Sequence, residues 1–121
     1  MPKLMRDPVK YIRDKAKSRY EKGSECYICS STDTLDFHHY FSLSPLLNKW
    51  LQKNDKPLEY IMAWREDFIE EHLVEIYDET VTLCHTHHLR LHSIYGKDPA
   101  LHTAKKQKNW VQIQRDKNGL V

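Results

Sequence analysis

The chain has 121 residues, 40% of them hydrophobic and 30% charged, and a formal net charge of +2. This length suits one domain, and the composition excludes a disordered chain and a membrane-spanning one. The first residues carry charges throughout and lack the apolar block of a signal peptide, so we expect a cytosolic protein. Three cysteines, an odd number, favour metal binding over a disulfide framework in such a compartment.

Basic residues concentrate at the two ends of the chain. Residues 1–25 hold eight Lys and Arg against four acids and residues 97–121 hold six against two, whereas residues 26–96 hold five against eleven. Two basic segments at the ends of the chain would bind a polyanion, and contacts to its phosphates would supply most of the affinity. Solvated helix faces have the same composition, so the charge pattern alone leaves both interpretations open.

The predicted elements begin with a basic helix in residues 1–23. Asp7 is a suitable N-cap, Pro8 suits the first helical position, and Gly23 ends the pattern. A tight Cys-x-x-Cys turn and a short β-prone run over residues 35–40 then predict a hairpin arm. The apolar residues of the first helix recur at helical spacing: Val9, Ile12, Ala16 and Tyr20.

A helical insertion is predicted over residues 44–75, where one apolar stripe suits burial. The stretch "TVTL" at 80–83 predicts a short strand, and "HTHHLRLHSIY" predicts a helix that Gly96 ends. A last basic helix is predicted within residues 97–121. Together these elements predict an α+β fold that is mainly helical. The stripe of the insertion comprises Ile61, Trp64, Phe68 and Leu73.

Three cysteines and one histidine form two close pairs. Cys26 and Cys29 stand in a Cys-x-x-Cys pair, and Cys84 and His87 have the same spacing after a gap of 54 residues. Four such ligands in two pairs suit a tetrahedral zinc ion in a structural role, whose binding energy becomes folding energy. Buried free cysteines beside an unrelated histidine are the alternative, but the matching spacings would then be a coincidence. The sequence therefore predicts a structural zinc site.

Four further histidines have spacings that suggest a second metal. His88 and His92 are four residues apart on a predicted helix, so they share one face and can hold one ion. His38 and His39 are adjacent on a predicted strand and face opposite sides, so they should have different tasks. One of them can complete a three-histidine metal site, and the other can act as a base on water. A pair of merely exposed helix histidines is the alternative.

The segments "CYIC", "LDFHHY" and "TVTLCHTHHLRLH" resemble the His-Asn-His (HNH) endonucleases. The ββα-metal core of that family, a treble-clef-like unit also called the His-Me finger, is often embedded in a Cys-x-x-Cys zinc scaffold. The resemblance covers residues 24–41 and 76–95 of the single domain expected over residues 1–121. The N-terminal helix, the helical insertion and the C-terminal extension lie outside it.

The resemblance implies a role for each of the four histidines. By position, His38 is a metal ligand and His39 is the general base. His88 is the metal-binding histidine at the end of the motif, and His92 matches a further histidine that binds metal or phosphate in one branch. The implied reaction is hydrolysis of DNA with one divalent ion, Mg²⁺, Mn²⁺, Ni²⁺ or Zn²⁺. Small members often come from phages or mobile elements, and a phage protein would act in the host cytoplasm.

Two positions depart from the family pattern. The second cysteine of the later zinc pair is here His87, which is still a zinc ligand. The family's middle asparagine usually stands five residues before Cys84, where this chain has Glu79 with Asp78 beside it. The resemblance then implies a catalytic task for Glu79, either bracing the loop that carries the base or supplying an oxygen ligand. The sequence leaves open which of the two acids takes that place.

Two functions from different classes fit these residues. One is a metal-dependent DNA endonuclease, which as a monomer with one active site would nick and as a homodimer would cut both strands. The other is a zinc-stabilised nucleic-acid-binding module without catalysis. The four further histidines favour the endonuclease, because a binding module does not need them. The side chains predicted to contact DNA phosphates are Lys10, Arg13, Lys17, Arg90, Lys105, Lys106 and Lys108.

Overall fold

The computed structural model describes residues 8–119, which form five α-helices and two strands. This composition confirms the predicted α+β, mainly helical fold. Asp7, the predicted N-cap, lies outside the described residues. No helix in this part of the chain is long and apolar enough to cross a membrane. The elements are α1 (Pro8–Ala16), β1 (Leu35–His39), α2 (Leu43–Asn54), α3 (Ile61–Glu71), β2 (Thr80–Cys84), α4 (His85–Tyr95) and α5 (Ala104–Lys117).

The first helix is shorter than the sequence predicted. After a 3₁₀ turn at Lys17–Arg19, the backbone becomes extended at Tyr20 and not at Gly23. The Tyr20 ring stacks on Phe37 of β1, with 4.6 Å between the ring centroids. The prediction of a helix up to Gly23 is therefore wrong, because this long-range aromatic contact turns the chain toward the sheet. The residues that α1 buries are those that the spacing predicted: Val9, Ile12 and Ala16.

The two strands form one antiparallel sheet that separates the adjacent histidines. His38 pairs with Val81 and His39 pairs with Thr80 in the register of the strands. Successive side chains of a strand point to opposite faces. His38 is accordingly buried on the side of α4, whereas His39 lies against Tyr20 on the other face. The prediction that the two histidines diverge is confirmed.

Helix α4 follows β2 directly, so β1, β2 and α4 form a ββα unit. The bounds of α4 agree with the prediction, and the helix ends at Gly96 with φ 92°. Glycine adopts this left-handed region without the steric cost of a Cβ atom. Leu91 of α4 is fully buried, so the side of the helix that carries Leu91 faces the sheet.

The predicted helical insertion consists of α2, α3 and a π-helical turn at Val74–Asp78. Its buried side chains pack with those of α1 in one hydrophobic cluster. Because α1 belongs to this cluster, the insertion and the N-terminal helix form one packed unit beside β1. Of the predicted stripe, Ile61, Trp64 and Phe68 are buried and Leu73 is partly buried.

A second hydrophobic cluster joins the ββα unit to the last helix. It contains Ile28 from the Cys-x-x-Cys turn, Leu83 from β2, Leu91 from α4 and Val111 from α5. Burying a side chain of this size contributes roughly 1.5–3 kcal/mol relative to leaving it exposed. The C-terminal helix α5 is therefore packed on the ββα unit, close to β1.

Candidate active site

Three histidines converge between β1 and α4. The Nδ1 atom of His38 lies 3.1 Å from Nε2 of His88, and the same Nε2 lies 3.0 Å from Nε2 of His92. His88 and His92 are one turn apart on α4 and are half-buried, whereas His38 is buried. The structure thus brings together the three residues that the sequence predicted as ligands of one ion. We call them the histidine group.

Each ring of the histidine group donates a hydrogen bond through its other nitrogen. The Nε2–H group of His38 donates to Oε1 of Gln107 at 2.8 Å. The Nδ1–H group of His88 donates to the Asp36 carboxylate at 3.0 Å. The Nδ1–H group of His92 donates to the carbonyl oxygen of the glycine that ends α4, at 2.7 Å. Acceptors of this kind fix the tautomer and the orientation of metal-binding histidines.

The converging nitrogens of His38 and His88 therefore have lone pairs and no protons, because a neutral imidazole has a single N–H. Burial lowers the pKa of His38 to about 3 and also lowers the pKa of His88, so both rings are neutral at pH 7. Facing lone pairs repel one another, and a cation between them removes that repulsion. An octahedral ion with bonds of about 2.1 Å holds adjacent nitrogens about 3.0 Å apart. The observed distances fit such an ion.

His39 lies apart from the histidine group, on the other face of β1. Its ring has a backbone hydrogen bond to Ile76, and its Nε2 atom is buried without a hydrogen-bond partner in residues 8–119. Burial lowers the pKa of His39 to about 4, so the ring is neutral at pH 7. Tyr20 and Phe37 contact it edge-on, with 5.2 and 5.3 Å between centroids. A neutral ring with a free nitrogen can accept a proton from water.

His39 and the histidine group line one cleft of about 290 Å³. Arg13 from α1 and Lys97 from the segment after α4 also line it. The hydroxyl of Tyr20 in the same wall is buried without a hydrogen-bond partner among the described residues. The Asp98 carboxylate lines the cleft as well, so these charged side chains sum to +1, and this excess of positive charge suits an anionic group in the cleft.

The four predicted zinc ligands form a second group, which we call the cysteine group. Cys29 Sγ lies 3.9 Å from Cys84 Sγ, and His87 Nδ1 lies 3.2 Å from Cys84 Sγ and 4.0 Å from Cys26 Sγ. A tetrahedral zinc ion with bonds of about 2.3 Å to sulfur holds two sulfurs about 3.8 Å apart. The spacing and the donor set of the cysteine group fit that ion.

The thiols of the cysteine group influence each other's ionisation. Burial raises the pKa of Cys26, but hydrogen bonds from the backbone N–H groups of Cys84, Cys29 and Ile28 outweigh burial and bring this pKa below its usual value. Burial, together with the neighbouring Cys26, raises the pKa of Cys29 to about 11. Two thiolates at this distance repel each other, so a divalent cation is what allows both to ionise.

Glu79, predicted in place of the family's asparagine, does not join the histidine group. Its carboxylate forms an ion pair with Lys108 of α5, and neither group of metal-ligand candidates in residues 8–119 includes a carboxylate. The backbone carbonyl of Glu79 accepts the N–H of Tyr40 at 3.1 Å, directly after His39. Glu79 thus supports the end of β1 through its backbone, while Asp78 is exposed.

The predicted DNA contacts are spread over several surfaces. Arg13 lines the histidine cleft, whereas the other six residues do not. Arg90 is exposed on α4 near His87, whose pKa is lowered by burial and further by the charge of Arg90. Lys108 pairs with Glu79. The remaining four predicted contacts are also exposed: Lys10 of α1, Lys17 of the turn after it, and Lys105 and Lys106 of α5.

Sequence reasoning missed three residues of this site: Asp36, Gln107 and Lys97. Asp36 had a usable signal, because it stands two residues before His38 on one strand and therefore shares its face. Gln107 had none, since it lies among lysines in a stretch that predicts a solvated basic helix. Lys97 follows the predicted end of α4, and only the fold shows that this point borders the cleft.

The site therefore combines a group of candidate metal ligands, a separate neutral histidine and an excess of positive charge in one cleft. No solved structure matches this chain. A family model described as the nicking endonuclease family, and named for phage T5, matches residues 1–119. The chain belongs to this nicking endonuclease family and is a DNA endonuclease.

Proposed function

We propose that this endonuclease nicks DNA by HNH-type hydrolysis, which needs one divalent ion at the histidine group. The observation that carries the proposal is the presence, in one cleft, of three converging ring nitrogens and a separate neutral histidine. A zinc-stabilised binding module needs neither feature. The cysteine group supplies a different donor set, so the structural and the catalytic metal are distinct in this proposal.

His39 is the proposed general base. Its unpartnered Nε2 atom belongs to a residue that lines the cleft, and the contacts with Tyr20 and Phe37 hold the ring in place. His39 takes a proton from water, the water attacks phosphorus in line, and the 3′ oxygen departs. The products then carry a 5′ phosphate.

His38, His88 and His92 are the proposed ligands of the catalytic ion. When bound, the ion stabilises negative charge on the attacked phosphate and on the departing 3′ oxygen. Imidazole ligands suit Mn²⁺, Ni²⁺ and Zn²⁺, whereas coordination positions left for water and phosphate also admit Mg²⁺. The acceptors behind the three rings keep their lone pairs directed into the cleft.

Arg13 and Lys97 are the proposed contacts to the scissile phosphate or its neighbours, because they line the cleft. Arg90 and the exposed lysines of α1, the turn after it and α5 extend the positive surface for flanking phosphates. Residues 8–119 contain one histidine group, which suits cleavage of one DNA strand at a time. A monomer therefore suffices for nicking. As a phage enzyme, it would work in the cytoplasm of the host cell.

Nicking is expected to depend on an added divalent ion and on His88. Protein containing one zinc ion per chain is incubated with supercoiled plasmid, with no added metal or with Mg²⁺, Mn²⁺ or Ni²⁺. Open circles should form only when an ion is added, and His88→Ala should slow their formation by about 100-fold or more, because the ion supplies several kcal/mol of transition-state stabilisation.

The matched control for this experiment is His102→Ala, which removes an exposed histidine outside both metal-ligand groups. It should nick at the wild-type rate. Equal rates for His88→Ala and His102→Ala would contradict the proposed ligand set. No nicking by any protein, with zinc retained and DNA bound, would favour the binding module.

A further inference from the structure

A fully buried glutamine connects α5 to the histidine group. Gln107 has no exposed surface, although it lies on a helix with many exposed lysines. Its Nε2 group donates to the carbonyl oxygen of Tyr40 at 3.2 Å and to Oγ1 of Thr103 at 3.0 Å. Its Oε1 atom accepts the Nε2–H of His38 at 2.8 Å. Every polar atom of this buried amide thus has a partner.

This arrangement determines the orientation of the amide. An amide has two N–H donors on its nitrogen, and both are used by the oxygens of Tyr40 and Thr103. The reversed amide would place its oxygen against the Tyr40 carbonyl oxygen and an N–H against the His38 ring. Gln107 Oε1 therefore faces His38, which requires a proton on His38 Nε2. The Nδ1 atom, 3.1 Å from His88, is left bare.

The same amide also holds the end of β1. Tyr40 follows His39, and its C=O accepts from Gln107 while its N–H donates to the backbone of Glu79. The carboxylate of Glu79 is in turn paired with Lys108, the neighbour of Gln107 on α5. Two consecutive residues of α5 therefore brace the strand end that carries both His38 and His39.

We propose that Gln107 is a positioning residue of the active site. It keeps His38 in the tautomer that can bind the ion, and it braces the strand next to His39. Bracing was one of the two roles that the resemblance left open for Glu79. In the structure the Gln107 side chain braces the strand end, together with the backbone of Glu79 and its ion pair with Lys108. This inference rests on the proposed catalytic ion at the histidine group, and it makes α5 part of the catalytic apparatus.

The test measures Ni²⁺ affinity by calorimetry on full-length protein containing one zinc ion per chain. Gln107→Leu should weaken Ni²⁺ binding by about 10- to 100-fold, as loss of an outer hydrogen bond to a metal-binding histidine does. Gln114→Leu, two turns further along the same face of α5, is the matched control and should bind as the wild type does. His88→Ala should abolish this binding.

The outcomes separate this inference from the proposed function. If His88→Ala and the wild type bind Ni²⁺ equally, the proposed ion site is wrong. If His88→Ala loses binding while folded Gln107→Leu binds like the wild type, only the role of Gln107 is overturned. Should Gln107→Leu fail to fold, ¹⁵N NMR of the zinc-containing wild type decides, because the inference requires His38 in the Nε2–H form. An Nδ1–H form would overturn it.

Discussion

Replacing His39 with alanine is expected to lower the nicking rate by about 10²- to 10⁴-fold, the usual contribution of a general base. The buried Nε2 atom of His39 has no partner in the described chain, and no other histidine outside the metal-ligand groups lines the cleft. The rate is measured on supercoiled plasmid at saturating DNA and Mg²⁺. Ni²⁺ binding and zinc content should match the wild type, since His39 belongs to neither metal-ligand group.

The control for His39→Ala is again His102→Ala, an exposed histidine on the same chain. Loss of the ring contacts with Tyr20 and Phe37 should lower the melting temperature slightly, so the assay is run well below the transition. A folded His39→Ala protein that nicks within a few-fold of the wild type would remove the general-base assignment, whatever the metal result.

Replacing Cys29 with serine is expected to abolish both zinc binding and folding. Structural zinc contributes about 10–16 kcal/mol in small zinc domains, which matches or exceeds the whole stability of a typical domain, about 5–15 kcal/mol. The cysteine group also ties the Cys-x-x-Cys turn to β2 and α4, far apart in sequence. Zinc content and thermal unfolding followed by circular dichroism measure the effect.

The companion variant for Cys29→Ser is His92→Ala, which changes the other metal-ligand group. It should keep one zinc ion per chain and a cooperative transition near that of the wild type, while losing Ni²⁺ binding. If Cys29→Ser folds with the wild-type melting temperature, or if His92→Ala is the variant that loses zinc, the division into a structural and a catalytic group fails.

Much of the site could be predicted because its residues have local spacings with a direct geometric meaning. His88 and His92 are four apart on a helix, so one ion can reach both. His38 and His39 are adjacent on a strand, so they diverge. The paired spacings of the cysteine group likewise imply one ion. These relations hold wherever the segments lie in the fold.

The other features of the fold and the site depend on tertiary contacts, which no local sequence pattern predicts. The end of α1 is set by the stacking of Tyr20 on Phe37, so the helix stops before Gly23 despite a continuing pattern. The ion pair of Glu79 with Lys108 depends on the packing of α5 against the sheet. Gln107 has the composition of a solvated helix and is nevertheless buried, because it lies on the face of α5 that meets β1.

Anomalous diffraction from crystals of the zinc-containing protein soaked in Ni²⁺ tests the two-metal arrangement most directly. Maps collected at the zinc and nickel edges should show zinc between Cys26, Cys29, Cys84 and His87, and nickel between His38, His88 and His92. A single ion shared by the two groups, or nickel bound away from the three histidines in a protein that nicks with Ni²⁺, would contradict it.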